Sequence, residues 1–113
     1  MNAYYLGQIY SQLYKLNDAE KMMLLDLKVT SNISGKNHFD YGVSLGILAG
    51  LYETFGHYEQ ALPLHQEAVL NAEQSVGKEH SSYGLRLNNL ASLYRSLQEY
   101  DLALPLYQTA LLN

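Results

Sequence analysis

The chain has 113 residues, of which 48% are hydrophobic and 16% charged, a composition that can bury a core and that disfavours disorder. Its formal net charge of -4 gives no excess of cations to neutralise phosphates, so we expect no nucleic-acid partner. The absence of cysteine excludes disulfides and thiolate metal sites and favours a reducing, cytoplasmic location. No segment approaches the roughly 18 consecutive apolar residues that span a bilayer, so we expect no membrane association.

Identity at a spacing of 42 residues indicates an internal duplication. Residues 35–71 and 77–113 are identical at 19 of 37 aligned positions. A fainter match at the same spacing extends the pattern towards the start of the chain, and both ends cut into a repeat, so we expect a single repeat domain that is a piece of a longer array. The predicted repeats cover residues 1 to about 33, about 41–75 and about 83–113.

The first repeat differs most from the other two. Leu6, Tyr10 and Ala19 are followed by the same residue types 42 positions later. Asp26 stands where the later repeats have alanine. We nevertheless expect this segment to form two helices, as the later repeats do.

Helical spacing is clear in the second repeat. Leu45, Leu48, Ala49 and Tyr52 recur at i, i+3, i+4 and i+7, which places them on one face of an α-helix. A second stripe with the same spacing follows, and Gly56 lies between the two as a helix breaker. The pattern predicts a helical hairpin.

The third repeat carries the same stripes 42 residues later. Asp40 and Ser82 precede the first stripe of their repeats, where a side-chain oxygen can cap a helix N-terminus. His38 and His80 recur with the preceding loops, and we interpret them as loop polar groups. With two helices in each repeat and no strand pattern, we predict six helices.

Residues 90–94 (LASLY) followed by residues 100–111 (YDLALPLYQTAL) resemble the tetratricopeptide repeat. The 42-residue unit, with two asparagines ahead of residue 90, is similar to the extended repeat of kinesin light chains. The resemblance implies an all-α fold, an α-solenoid of about three antiparallel helix-turn-helix repeats wound into a right-handed superhelix. It also implies a protein-binding function.

In that family the first helix of each repeat, the A helix, turns one face towards a concave groove that binds peptides. Gly46 and Gly50 have no side chains to cover this face, so the extended backbone of a ligand could approach it closely. Asn88 and Asn89 could then pair with the N–H and C=O groups of that ligand backbone. Each Asn or Gln can equally be a solvated surface residue. The resemblance implies groove positions at Tyr4, Tyr5, Gln8, Gly46, Gly50, Glu53, Asn88, Asn89, Ser92 and Arg95.

The carboxylate clamp with which the family binds acidic C-terminal tails needs Lys, Arg and Asn on these faces. Here most of the corresponding positions are apolar or small, which leaves Arg95 as the only nearby cation. We therefore expect no dianionic ligand. Kinesin light chains bind their Trp-plus-acidic peptides in a basic groove, so we expect no cargo of that kind either.

Patterns for catalysis and metal binding are missing from the sequence. None of the four His residues lies in a His-Glu-x-x-His pair, and no nucleophile has an evident base. We predict no enzyme activity, no cofactor and no metal, and a function as an adaptor or scaffold that binds a protein or peptide. The alternatives are a structural part of a longer solenoid, a scaffold that forms homo-oligomers through uncapped repeat ends, and a regulatory or sensor segment of a larger signalling protein.

Overall fold

The computed structural model describes the backbone of residues 3–112 and the side chains of residues 12–112. The described backbone contains no strand, which confirms the predicted all-α class. None of the helices within it combines the length and apolarity needed to cross a membrane. The helices in chain order are α1 (Ala3–Ile33), α2 (Phe39–Thr54), α3 (Tyr58–Ser75), α4 (Ser81–Ser96) and α5 (Tyr100–Leu111).

The helices form two hairpins, α2–α3 and α4–α5, which stack through α3 and α4, while α1 packs on α2. Small residues allow the helices of each hairpin to approach closely: Ala49 and Ala61 are fully buried in the first, as is Ala91 in the second. The radius of gyration, 15.9 Å, exceeds the roughly 13 Å typical of a compact domain of this length. The helices therefore form an extended α-solenoid, as predicted.

The prediction of six helices is wrong because the first repeat is one continuous helix, α1. In the two hairpins the turn requires one residue with positive φ, Gly56 at 78° and Gln98 at 62°. The position 42 residues before Gly56 is Tyr14, and a bulky aromatic residue is disfavoured in that left-handed conformation. The backbone at Tyr14 stays helical and no turn forms.

The predicted helix caps are also wrong. Helices α2 and α4 begin two residues before the helices that Asp40 and Ser82 would cap, and His38 and His80 are the N-cap residues. His38 Nδ1 accepts a hydrogen bond from the Asp40 N–H at 3.1 Å, and His80 Nδ1 accepts one from the Ser82 N–H at 3.0 Å. The recurrent histidines thus satisfy amides that have no partner within the helix.

Two hydrogen bonds join α1 to α2. Ser44 Oγ donates to Asp26 Oδ2 at 2.7 Å, and Tyr52 Oη donates to Glu20 Oε2 at 2.6 Å. Burial, together with the Glu20 carboxylate, raises the pKa of Tyr52 to about 12, which keeps the hydroxyl protonated as the donor. The Asp26 that replaces the alanine of the later repeats therefore contributes to the packing of the first repeat on the second.

A buried asparagine fastens the loop between α1 and α2 to α3. Asn71 Nδ2 donates to the carbonyl oxygens of Lys36, at 2.9 Å, and His38, at 2.8 Å. The Asn71 side chain lies against the backbone of Gly42, where a Cβ atom would overlap its amide group. Glycine at position 42 is thus required for the Asn71 contacts.

Replacing Gly42 with alanine should destabilise the fold because the new methyl group displaces Asn71 from both carbonyl oxygens. We expect Gly42→Ala to lower the free energy of unfolding by about 1–3 kcal/mol, measured by urea denaturation. Gly50→Ala is the matched control in the same helix, since a Cβ there meets no atom within 4 Å. The control should raise the free energy of unfolding by about 0.5–1 kcal/mol, and the same sign for both variants would contradict this role of Gly42.

Candidate functional site

The candidate site consists of the faces of α2 and α4 that point away from their partner helices, which we together call the A-helix surface. Two apolar side chains on it are half exposed, Ile47 at 50% and Leu85 at 53%. A Cβ atom on Gly50 would meet no other atom within 4 Å, and one on Gly46 would meet only Arg86 Nη1, at 3.7 Å. The backbone of α2 is therefore accessible between larger side chains.

Three of the predicted polar groove residues are available on this surface. Asn88 and Arg95 are exposed and Asn89 is half buried. None of the three has a hydrogen-bond or ion-pair partner among the described residues. The two amides and the guanidinium can therefore donate to a bound chain, and the amides can also accept from it.

Two other predicted groove residues are already bound within the hairpins. His65 Nε2 of α3 donates to Glu53 Oε1 of α2, and Ser92 Oγ of α4 shares a hydrogen bond of 2.9 Å with Tyr107 Oη of α5. His65 and Tyr107 are 42 residues apart, so the same position of each repeat ties the second helix to the first. Glu53 and Ser92 therefore contribute to hairpin packing.

The predicted positions in the first repeat are Tyr4, Tyr5 and Gln8. Their backbone belongs to α1, and their side chains lie outside the described residues.

Arg86 is a buried cation beside this surface that the sequence prediction missed. It is only 8% exposed, and its guanidinium lies 5.7 Å from the centroid of the Phe39 ring. Burial lowers the pKa of Arg86, and its Nε atom is buried with no hydrogen-bond partner among the described residues. The expectation that Arg95 is the only nearby cation is therefore wrong. The sequence did contain one signal for this residue, because Arg86 directly precedes Leu87, a core position in the apolar stripe of α4.

The chemistry of the A-helix surface is suited to binding. It offers an open stretch of backbone, amides without a partner among the described residues, and the exposed Arg95 guanidinium, while the Arg86 guanidinium lies buried beside Gly46. Among the described side chains, no group of three His, Asp or Glu residues is close enough to hold a metal ion.

Comparison with known proteins agrees with this architecture. Family models of the tetratricopeptide repeat match residues 3–40 and residues 58–111. The chain belongs to the tetratricopeptide repeat family. The first of these matches includes α1, so this helix has the sequence of a tetratricopeptide repeat although it forms no hairpin.

The fold of this tetratricopeptide repeat protein is similar to the crystal structure of BtubC (BKLC) from P. vanneervenii, with a TM-score of 0.78 and 22% sequence identity. The similarity covers 94% of this chain but only 42% of that one, so the chain spans about two fifths of the length of the structure it matches. At this identity the comparison establishes the solenoid fold alone. No curated protein sequence matches the chain.

The hydrogen bond between Ser92 and Tyr107 should appear as energetic coupling between α4 and α5. We expect Ser92→Ala and Tyr107→Phe each to lower the free energy of unfolding by about 0.5–1.5 kcal/mol in urea denaturation. The double variant should have a free energy of unfolding only slightly lower than that of either single variant, because both substitutions remove the same hydrogen bond. Strictly additive losses would show that Ser92 has no energetic link to α5.

Proposed function

We propose that this tetratricopeptide repeat protein is an interaction module that binds an extended segment of a partner protein across the A-helix surface. The observation that carries the proposal is the open backbone of α2 at Gly46 and Gly50, flanked by half-exposed apolar side chains. Repeats of this family mediate protein–protein interactions, so the proposal concerns where and how the partner binds.

Each part of the surface would contribute a different interaction. Ile47 and Leu85 can bury apolar side chains of the partner, and each fully buried aliphatic side chain contributes about 1.5–3 kcal/mol. Gly50 lets the partner backbone approach α2 closely. Asn88 and Asn89 can then pair with its N–H and C=O groups, which fixes the register of the segment.

The proposed role is non-catalytic. The titratable pairs near the surface are used in packing: Glu53 is held by His65, and Tyr52 by Glu20. Neither pair places a nucleophile next to a base at an accessible position. Adaptor or scaffold activity agrees with this arrangement.

Self-association is a second candidate function, favoured by exposed apolar side chains of α5. Leu104 and Leu111 are seven residues apart, on one side of the helix, and both are exposed, although apolar side chains in a solenoid normally pack on a neighbouring repeat. A second copy stacked on α5 would bury them. This contact lies away from the A-helix surface, so the two functions can coexist.

Substitutions at Gly50 separate binding from stability. We expect Gly50→Gln to abolish binding of peptides selected from a phage-displayed library of random 12-residue sequences, because the side chain fills the open stretch of α2. The same variant should be at least as stable as the wild type, since it replaces a helix-interior glycine in open space. Binding would be measured by fluorescence anisotropy and stability by thermal unfolding followed by circular dichroism.

Two control variants accompany this experiment. Gly50→Ala adds only a methyl group and should change the affinity by less than about threefold, which corresponds to less than 1 kcal/mol. Leu70→Gln alters an exposed side chain of α3 away from the surface and should leave affinity unchanged. Selected peptides that bind Gly50→Gln and Asn89→Ala as tightly as the wild type would show that the partner binds elsewhere.

Light scattering over a concentration series tests self-association. We expect the average mass to rise with concentration for the wild type and to remain that of a monomer for Leu104→Lys, since a buried unpaired ammonium group opposes the contact. Leu70→Lys, a similarly exposed position on α3, should associate like the wild type. A wild-type chain that stays monomeric at millimolar concentration would contradict this function.

A further inference from the structure

We propose that Arg86 binds a carboxylate side chain of the partner, so that the bound segment carries an Asp or Glu residue directly over Gly46. This inference rests on the proposed function and specifies the chemistry of the partner at one position. The feature that carries it is a buried arginine whose guanidinium has no counter-charge among the described residues.

Arg86 is more than nine-tenths buried, yet none of its nitrogen atoms has a hydrogen-bond or ion-pair partner among the described residues. Buried charges in proteins are ordinarily paired, because removing a charged group from water costs several kcal/mol. The guanidinium lies over the face of the Phe39 ring, which attracts a cation but accepts no conventional hydrogen bond. The site is therefore incomplete without an acceptor.

Comparison of the repeats shows what is missing. Arg86 stands 42 residues after Ser44, and in the second repeat Ser44 donates to the Asp26 carboxylate of the preceding helix. The residue 42 positions after Asp26 is Ala68, which is fully buried and offers no acceptor. The third repeat thus has a stronger donor than the second and lacks the carboxylate that would receive it.

The geometry directs the guanidinium towards the A-helix surface. Nη1 lies 3.7 Å from the position that a Cβ atom on Gly46 would occupy, so the absence of a side chain there leaves the guanidinium edge uncovered. Nε is buried with no hydrogen-bond partner among the described residues. A ligand that lies over Gly46 can meet Nη1, and the Phe39 ring restricts the orientation of the guanidinium plane.

A single carboxylate fits this site best. The planar fork of one arginine matches the two oxygens of one carboxylate. A dianionic group would need further cations, but Arg95 follows Arg86 by 9 residues, which is two and a half helical turns. It therefore projects from the opposite side of α4, about 13.5 Å further along the helix axis. The earlier expectation that a dianion is excluded is therefore compatible with a monoanion at Arg86.

The test uses the intact 113-residue chain and a library of random 12-residue peptides displayed through their C-termini, so that no free terminal carboxylate or phosphate is present. We expect the wild type to select peptides that share an Asp or Glu at one position. Replacing that residue with Asn or Gln in a synthetic peptide should weaken binding about tenfold to a hundredfold, as expected for loss of a charged hydrogen bond. Arg86→Gln should weaken binding of the unmodified peptide by the same factor. When the protein variant and the modified peptide are combined, the affinity should be no lower than with either change alone.

Two variants control for net charge and folding. Lys78→Gln removes one positive charge from an exposed site outside the A-helix surface and should keep the wild-type affinity. Arg86→Met should keep or raise the midpoint of thermal unfolding, because an uncompensated buried charge is removed while its packing volume is largely retained. A fall of several degrees would assign Arg86 a structural role and overturn the inference.

The remaining outcomes distinguish this inference from the proposed function. One outcome is that selected peptides bind the wild type but not Gly50→Gln, share no acidic residue and bind Arg86→Gln as tightly as the wild type. That result would support binding at the A-helix surface and refute the proposed contact between Arg86 and a carboxylate. If no peptide is selected, or Gly50→Gln binds all of them, the proposed function fails and the inference fails with it.

Discussion

The close approach of α2 and α3 is the contact on which the remaining structure depends. Ala49, Ala61 and Ala68 have no exposed surface, and a larger side chain at any of them would separate the two helices. A hairpin this thin cannot enclose a core by itself, so Leu93 of α4 completes the cluster begun by α2 and α3. Because α4 completes the core of the α2–α3 hairpin, one face of α2 is used in packing and the opposite face remains open.

Polar residues fix the relative positions of the repeats, because apolar packing alone would tolerate small displacements of one helix along another. Asn71 fastens one loop to α3 through two backbone carbonyls, and His38 caps the helix that the same loop leads into. These hydrogen bonds act over fixed distances and angles, so they permit fewer arrangements than contacts between leucines do. Gly42 shows the consequence, since the buried amide of Asn71 occupies the space that any side chain there would need.

Two features of the A-helix surface lower the stability of the fold. Gly50 lies in a helix interior with open space around it, where alanine would be more stable, and Arg86 is a buried charge with no partner in the part of the chain that the structure describes. Positions that break the local rules of stability without an evident structural gain are characteristic of functional sites. Both lie beside Gly46, on the part of the surface where we propose that the partner binds.

The sequence by itself determined the helical class, the two later hairpins and the face of α2 that packs, because apolar spacing and a 42-residue identity are local properties of the chain. The continuity of α1 was also a local property, since Tyr14 is disfavoured in the turn conformation, but the helical spacing of the flanking residues does not reveal it. Tertiary structure decided two features. Glu53 is drawn to His65 because the hairpin brings together residues 12 positions apart. Arg86 becomes a buried cation only when α4 packs beside Phe39 and Gly46, since burial and the lack of a counter-charge depend on neighbours that are distant in sequence.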